Sequence, residues 1–371
     1  MNGLIERHLL HRSIFSYLLY PLSLLYRKLC QYRQRQQQKR CYKSPCTIIS
    51  IGNIVSGGSG KTPFCIELAS ALKAKGIRVG ISHRGYKGNF EKKPKLISNY
   101  EKVFPIAKVA GDEALLLAKN LKGVPVAVGK DRKCAIELLC SLSPVPELII
   151  LDDSFQNHSV YHDLDFLLFD ARIGLGNGFL IPAGYLREPI TALQKNHIAI
   201  IKEALNIHDQ HDPNSNYPDS YRHKSLQQIT DRTTNVYRAT TESKGFFDVK
   251  GMRIEQSELI NKKILAVSGI AFPLSFEQSL MKLGLKIWQS KRYPDHYGFD
   301  DEKELHKIIT LINSDPELLI ICTEKDFVKL EQIPSLGERL LYLKIGLQIP
   351  ELDRLLKIVL DKVKENAGKS R

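Results

Sequence analysis

The 371-residue chain contains no C-x-x-C pair, and its seven cysteines (30, 41, 46, 65, 134, 140 and 322) form no even framework. Without one, the thiols are expected to stay reduced in a cytosolic setting. An apolar run of the ~20 residues needed to span a bilayer is missing near the N-terminus. The uncharged block there, Ser13–Tyr26 (SIFSYLLYPLSLLY), has only fourteen residues. A small-residue cleavage site is missing too, because RKLCQYRQRQQQKR follows the block, which argues against a secretory signal. There is no internal repeat and no low-complexity tract beyond QRQQQKR.

Acids are scarce at one end. Residues 1–45 carry Arg7, Arg12, Arg27, Lys28, Arg33, Arg35, Lys39, Arg40 and Lys43 against Glu6 alone, so +8 of the formal +14 lies there. An anionic partner would meet this segment first. An apolar block flanked by basic clusters suits peripheral attachment to an anionic membrane surface, where each cation is worth roughly 1 kcal/mol. A helix packed on the body with solvated charges, or an Arg-rich transit peptide, are the alternatives. Leu4, Ile5, Leu9, Leu10, Ile14 and Phe15 wind around a helical cylinder, so no clean amphipathic stripe is expected. Charge set beside an apolar block favours lipid over a duplex, and no nucleic-acid partner is expected.

An apolar content of 43% with 25% charged residues is that of a soluble globular protein long enough for two domains. From residue 47, apolar strands alternate with helices, the pattern of a mostly parallel α/β sheet covered on both faces. CTIISIGNI, IRVGISHRGY, VPVAVG, ELIILDD, DLDFLLFDA and HIAIIK read as strands. TPFCIELASALKAKG, residues 112–121 and DRKCAIELLCSL read as helices. Residues 203–233 are polar, with two prolines and little periodicity, and mark a junction. Beyond it NKKILAVSGIA, LKIWQSKRYPD, ELLIICTEKD and RLLYLKIG read as strands, separated by helices at Phe276–Leu283, Asp301–Asn313 and Glu351–Asn366. The expected division is a membrane-association segment over 1–45, a P-loop domain over 46–202, a polar linker over 203–235 and a smaller α/β domain over 236–371.

The stretch SIGNIVSGGSGKTPF, residues 50–64, ends like a phosphate-binding loop, but the strict pattern G-x-x-x-x-G-K-[ST] would need glycine where Val55 stands. Gly57, Gly58 and Gly60 supply permissive positions, only shifted. Glycines let successive N–H groups face phosphate oxygens, with the positive end of the next helix behind them. Val55, Ser56, Gly57, Gly58, Ser59, Gly60, Lys61 and Thr62 are therefore candidates to bind ATP. Lys61 would reach the β- and γ-phosphates, and the Thr62 hydroxyl would ligate Mg²⁺. Pro63 falls in the first helical turn, where its missing N–H had no partner. The strand ELIILDD ends in Asp152 and Asp153, at the edge where α/β proteins bind ligands, and both are Mg²⁺ candidates. A chance glycine-rich turn, and acids that cap the following turn, are the plainer readings. Asp112 and Glu113 read locally as a helix cap with a first-turn acid. Asp295, His296 and Tyr297 fall in a loop, and NGFLIPAGYLREP is an unusual loop suited to ligand contact.

In order, GNIVSGGSGKTP, SHRGY, GDE, LDDSFQNH, NGFLIPAGYLREP, PDHYGF and TEKDFVK resemble the motif series of the tetraacyldisaccharide 4′-kinases of lipid A biosynthesis, over residues 50–330. The resemblance implies an ATP- and Mg²⁺-dependent kinase that phosphorylates the 4′-hydroxyl of a tetraacylated, β-1,6-linked glucosamine disaccharide 1-phosphate, giving lipid IVA. It implies a peripheral enzyme on the cytoplasmic face of the bacterial inner membrane, with no obligate protein partner. Asp112 would work with His296 to deprotonate the sugar hydroxyl, beside Lys61, and Glu113 would join the metal candidates. If Asp112 sits on the first domain and His296 on the second, domain closure would assemble the base. Arg84, Tyr86, Gln156, Asn157, His158 and Arg187 would hold the acceptor. The chain departs from the family's D-D-G-F-Q-H at Ser154 and Asn157, with His158 one residue late. TEKD, residues 323–326, is expected to end a strand and has no assigned role. The rival reading is a P-loop NTPase switch or metallochaperone of the GG-x-GK type, but TEKD is not the guanine-reading N-K-x-D and no cysteines cluster near histidines.

Overall fold

The computed structural model describes residues 9–86, 88–203 and 219–369. Leu4, Ile5, Glu6 and Arg7, and most of the expected linker (204–218), lie outside the described residues. The chain forms two compact units. The first comprises the described residues up to Ala110, then Leu117–Thr241, then those from Leu347 onward; the second comprises Gly111–Leu116 and Glu242–Gly346.

In the first unit the strands are β1 (Thr47–Gly52), β2 (Val79–His83), β3 (Lys95–Ser98), β4 (Val126–Val128), β5 (Leu148–Leu151), β6 (Leu164–Asp170), β7 (Ile198–Glu203) and the start of β8 (Val236–Phe247). Their order is β8-β7-β6-β1-β5-β2-β4-β3. Neighbours run parallel except β3 against β4. β1, β2 and β5 are buried at every position, which is why none of them alternates with exposed polar residues: β5 is wholly apolar, and the Thr47, Ser50, Ser82 and His83 of β1 and β2 are buried as well. The register pairs Ser50 with Leu151, so the loop after β1 and Asp152–Asp153 after β5 leave adjacent strand ends. The mostly parallel α/β class read from the sequence is the observed one. β3 and β8 have no counterpart in that reading, because lysine, arginine, threonine and serine fill them and they are only partly buried.

The sequence reading gave residues 236–371 to one domain, but the helix Leu352–Lys369 belongs to the first unit. Its buried Leu355, Leu356, Val359 and Val363 pack toward β1 and the helix Lys61–Ala74. Asn366 Nδ2 donates to Thr47 Oγ1 at 3.2 Å and to Asp163 Oδ1 at 2.9 Å. Asp163 Oδ2 in turn accepts from Ile48 N at 2.8 Å, so the helix end is tied to the start of β1. Asn366→Ala should lower unfolding stability by about 0.5–1.5 kcal/mol. A urea titration with an unchanged midpoint would mean that the apolar stripe alone holds the helix.

Before β1 comes a helix, Ile14–Gln38, opened by a capping box in which Ser16 N donates to Ser13 Oγ and Ser13 N to Ser16 Oγ. Its burial is inverted. Ser16 and Ser23 are buried, and Ser23 Oγ donates to Leu180 O at 2.8 Å while Ala183 N donates back to it at 3.2 Å. Phe15, Leu18, Leu22, Leu25, Leu29 and Tyr32 are all more than half exposed. Their alternating three- and four-residue spacing lays them along one helical face. Ile14, Tyr17, Tyr20 and Leu24 are exposed beside this row, so the apolar surface is broad; the expectation of no clean stripe concerned residues 4–15, of which Leu4 and Ile5 lie outside the described residues. Among the described residues, no helix is long and apolar enough to cross a membrane.

In the second unit β10 (Lys263–Ser268), β11 (Ile287–Arg292), β12 (Leu318–Thr323) and β13 (Leu340–Gln348) follow the order β11-β10-β12-β13, all parallel. The short β9 (Arg253–Ile254) pairs antiparallel with Phe246 and Phe247 of β8. Leu265, Val267, Ile308, Ile312, Ile320 and Leu340 share one core cluster there. The TEKD segment ends β12 at Thr323, as expected, and goes on to start a helix, Glu324–Leu330, which Thr323 caps by accepting from Asp326 N at 3.2 Å.

Candidate active site

The loop after β1 turns where the glycines allow it. Gly57 has φ of 112° and Gly60 of 84°, whereas Val55 is not among the positive-φ residues and needs no glycine. Val55 is instead buried and bridged antiparallel to Leu186, and Ser56 N donates to Tyr185 O at 2.8 Å. Asn53 Nδ2 holds Ser59 Oγ at 3.1 Å from inside the loop. Gly60 then opens the helix Lys61–Ala74 with no side-chain cap, leaving the first-turn amides to a ligand. A side chain at Gly60 would come within 3.2 Å of Lys202, a cation beneath the loop that sequence reasoning missed. Lys202 is fixed by Asp170 at 2.9 Å. Asp170 is buried, which alone would raise its pKa, yet Lys202 and Arg172 hold it well below the usual carboxylate range.

At the end of β5, Asp153 adopts φ of 46° and turns its carboxylate to Lys61 Nζ at 3.5 Å and Arg187 Nη1 at 3.4 Å. Asp152 is 1% exposed. The buried Arg132, also missed in the sequence, donates to Asp152 O and to Ser82 Oγ, and so shapes this turn. Because His83 Nδ1 accepts from Gly85 N at 2.9 Å, its Nε2 carries the proton and faces Asp152 Oδ2 at 4.0 Å. Thr62, Asp152 and Asp153 offer only oxygen donors, which fits a hard cation that also takes phosphate oxygens and water. Among the described residues no three His, Cys, Asp or Glu side chains form a cage that would hold a metal without the nucleotide.

Gln156 Nε2 donates to Asn53 O at 2.7 Å, directly under the loop. Asn157 folds back on its own turn, its Oδ1 accepting from Ser159 Oγ at 2.6 Å and Ser159 N at 3.1 Å. His158 N donates to Gln37 Oε1 at 3.1 Å, and its ring is half-buried near His162 and Asp165, with burial lowering its pKa. Arg84 is engaged by Glu91 at 2.9 Å, and Tyr86 stands beside it, exposed.

The LREP segment is laced to the loop, since Arg187 N donates to Ile54 O at 2.8 Å. Next to it, burial pushes the Glu188 carboxyl up to about 7, against an opposing hydrogen bond from Gln156. The folded protein therefore binds this proton more tightly than the unfolded chain. The stability it lends is full below the ordinary carboxylate range and is lost as pH rises toward about 7. Glu188→Gln cannot lose a proton, so its Tm relative to the parent should be more favourable at about pH 8 than at about pH 5. A constant difference across that range would remove Glu188 as the titrating group.

In the second unit the structure brings Asp112 and His296 together, with Nδ1 of the ring 3.9 Å from Asp112 Oδ2. The sequence reading placed them in different domains; here residues 111–116 cluster with the unit that carries His296, so the pair is local. His296 itself has φ of 59°, a strained conformation for a non-glycine residue that aims its ring. Asp112 also meets Lys329 Nζ at 2.8 Å. Burial would raise its pKa, but His296 and Lys329 outweigh this and keep it lowered, hence ionised. Glu113, a metal candidate in the sequence, has Lys325 as its partner at 3.3 Å. Both lysines lie in TEKDFVK, a motif of the resemblance to which the sequence reading gave no role, and their pairing with Asp112 and Glu113 was not anticipated.

A glycine-bent loop feeding an uncapped helix, with a lysine, a threonine hydroxyl and strand-end carboxylates around it, is the arrangement by which P-loop-type α/β phosphotransferases hold a nucleotide. The profile of the family described as Tetraacyldisaccharide-1-P 4'-kinase (LpxK) matches residues 15–364, and the chain belongs to that family. Its members are phosphotransferases that act on an alcohol group, in lipid A biosynthesis. The chain is 30% identical over 363 residues to the tetraacyldisaccharide 4'-kinase of Syntrophus aciditrophicus, covering 95% of each chain. It is 33% identical over 326 residues to that of Psychrobacter arcticus, covering 87% of this chain and 80% of the relative. Its fold is similar to a crystal structure of LpxK from Aquifex aeolicus in complex with ATP, with a TM-score of 0.73, 27% identity, and coverage of 94% of this chain and 100% of the other.

Proposed function

We propose that this chain moves the γ-phosphate of ATP to the 4′-hydroxyl of tetraacyldisaccharide 1-phosphate, and that the residues above divide the work. The amides of Gly57–Thr62 cradle the phosphates and Lys61 places its cation on the β- and γ-groups, exchanging its loose contact with Asp153 for the nucleotide. Thr62, Asp152 and Asp153 would hold Mg²⁺, which when bound neutralises charge on the transferring phosphate. Arg187, Arg84, Tyr86, Gln156 and Asn157 would orient the acceptor; arginine suits its existing phosphate because it binds bidentately. A sugar hydroxyl is a poor nucleophile, so its proton must leave as oxygen bonds to phosphorus. The Asp112–His296 pair takes that proton, the bond to the bridging oxygen breaks, and ADP departs. The observation that carries this reading is the Lys61–Asp153–Arg187 cluster at the mouth of the glycine-bent loop. An acceptor lacking only its 4′-hydroxyl should receive no phosphate; transfer to it would place the chemistry at another position.

The same reading puts the protein at a membrane surface, because its acceptor is a lipid. The exposed stripe from Phe15 to Tyr32 supports this, flanked as it is by exposed Arg27, Lys28, Arg33, Arg35, Lys39 and Arg40. The stripe would lie in the headgroup region of the cytoplasmic leaflet of the inner membrane, with its cations on anionic lipids and its serine face on the 177–184 loop. No protein partner is needed. Leu18→Asp with Leu25→Asp should weaken co-sedimentation with anionic vesicles by at least about tenfold, since each leucine contributes roughly 1.5–3 kcal/mol when buried. Unchanged vesicle binding, or competition by duplex DNA, would rule out the stripe as the anchor.

A further inference from the structure

We propose that the short helix Glu324–Leu330 is the positioning element of the proton-accepting pair, with Lys329 fixing Asp112 and Lys325 fixing His296. This rests on the reading of Asp112 and His296 as the base, and gives the TEKD segment a task. The helix is anchored from within. Asp326 is fully buried, and its Oδ2 accepts from Gly269 N at 2.8 Å and Thr323 Oγ1 at 2.7 Å. A Cβ on Gly269, just past β10, would come within 2.9 Å of Asp326 Oδ1, so a side chain there would press the carboxylate out of its place. A buried carboxylate held by neutral donors is a costly way to gain stability. What it secures is the placement of the helix against β10, and with it the two lysines.

Lys325 and Lys329 are four residues apart, so they leave one helical face a turn apart. Both are largely buried, at 18% and 10% side-chain exposure, unlike an ordinary surface pair. Lys329 Nζ donates to Tyr297 O at 2.8 Å and pairs with Asp112 at 2.8 Å, tying the carboxylate to the loop that carries His296. Lys325 Nζ meets Asp295 Oδ1 at 3.0 Å, Glu113 Oε1 at 3.3 Å and His296 Nε2 at 3.3 Å. Three acceptors match the three N–H bonds of an ammonium group. A lysine that donates to Nε2 leaves the ring proton on Nδ1, the nitrogen that faces Asp112. One lysine thus sets the carboxylate's position and the other sets the tautomer of its partner.

The test measures steady-state rates on the full chain with ATP and tetraacyldisaccharide 1-phosphate. Lys329→Met should lower kcat by about 10- to 100-fold, the scale of a misplaced reacting group, while the KM for either substrate stays within about twofold. Lys329→Arg, which keeps the cation, should recover most of the loss. In the Asp112→Asn background Lys329→Met should be nearly silent, because a residue acting through Asp112 has nothing left to position. Equal losses in both backgrounds, or a fall in folding midpoint with kcat intact, would overturn the proposal. Should Lys329→Met not fold, Lys329→Gln is judged by the same comparison. A wild-type rate for Asp112→Asn alone is a different failure: it removes the base and not merely its support.

Discussion

Asp112→Asn is expected to lower kcat by about 10²- to 10⁴-fold, the range for loss of a general base. The amide keeps the shape and cannot take a proton. Its KM for ATP should hardly move, since the nucleotide is held by the loop and Lys61. Stability should fall as well, because the amide leaves the largely buried Lys329 without its carboxylate, so the kcat loss is read at a temperature where the variant is folded. His296→Asn should reproduce much of the loss, and the double variant should be no worse than the slower single one if the two act as a unit. A near-normal rate for Asp112→Asn would return this residue to a helix-capping role.

Lys61→Met is expected to cut kcat/KM for ATP by about 10²- to 10³-fold, the cost of removing one preorganised charge from a transferring phosphoryl group. The effect should fall on the nucleotide and the chemical step, leaving the acceptor's KM nearly unchanged. Lys61 contacts Asp153 at only 3.5 Å, a distance that leaves the ammonium group able to exchange to a phosphate. Should Lys61→Met weaken the acceptor and ATP equally, the lysine would be supporting the site as a whole and not gripping the phosphates.

Much of the donor site was legible in the chain because it is local. Strand, glycines, lysine and helix follow one another within residues 47–74, and their spacing alone dictates the geometry. The apparent defect at Val55 has a long-range cause: the position is a buried bridge to Leu186 and not a turn that needs glycine. What escaped is what depends on distant segments. The lysine partners of Asp112 and Glu113 lie more than two hundred residues away, and Arg132 and Lys202 reach the site from helices and strands whose sequences carry no motif. In the helix Ile14–Gln38 the outward apolar block suits the expected peripheral attachment, whereas its buried face was not legible because it is made of serines. The return of residues 352–369 to the first unit rests on contacts with β1 that no local pattern announces.

The most direct measurement of the account combines the protein with γ-labelled Mg·ATP and tetraacyldisaccharide 1-phosphate, and follows the label. The account predicts label on the 4′-oxygen of the lipid, with transfer slowed by about 10²- to 10⁴-fold when the Asp112 carboxylate is removed. ATP hydrolysed at a steady rate while the lipid remains unlabelled would contradict it.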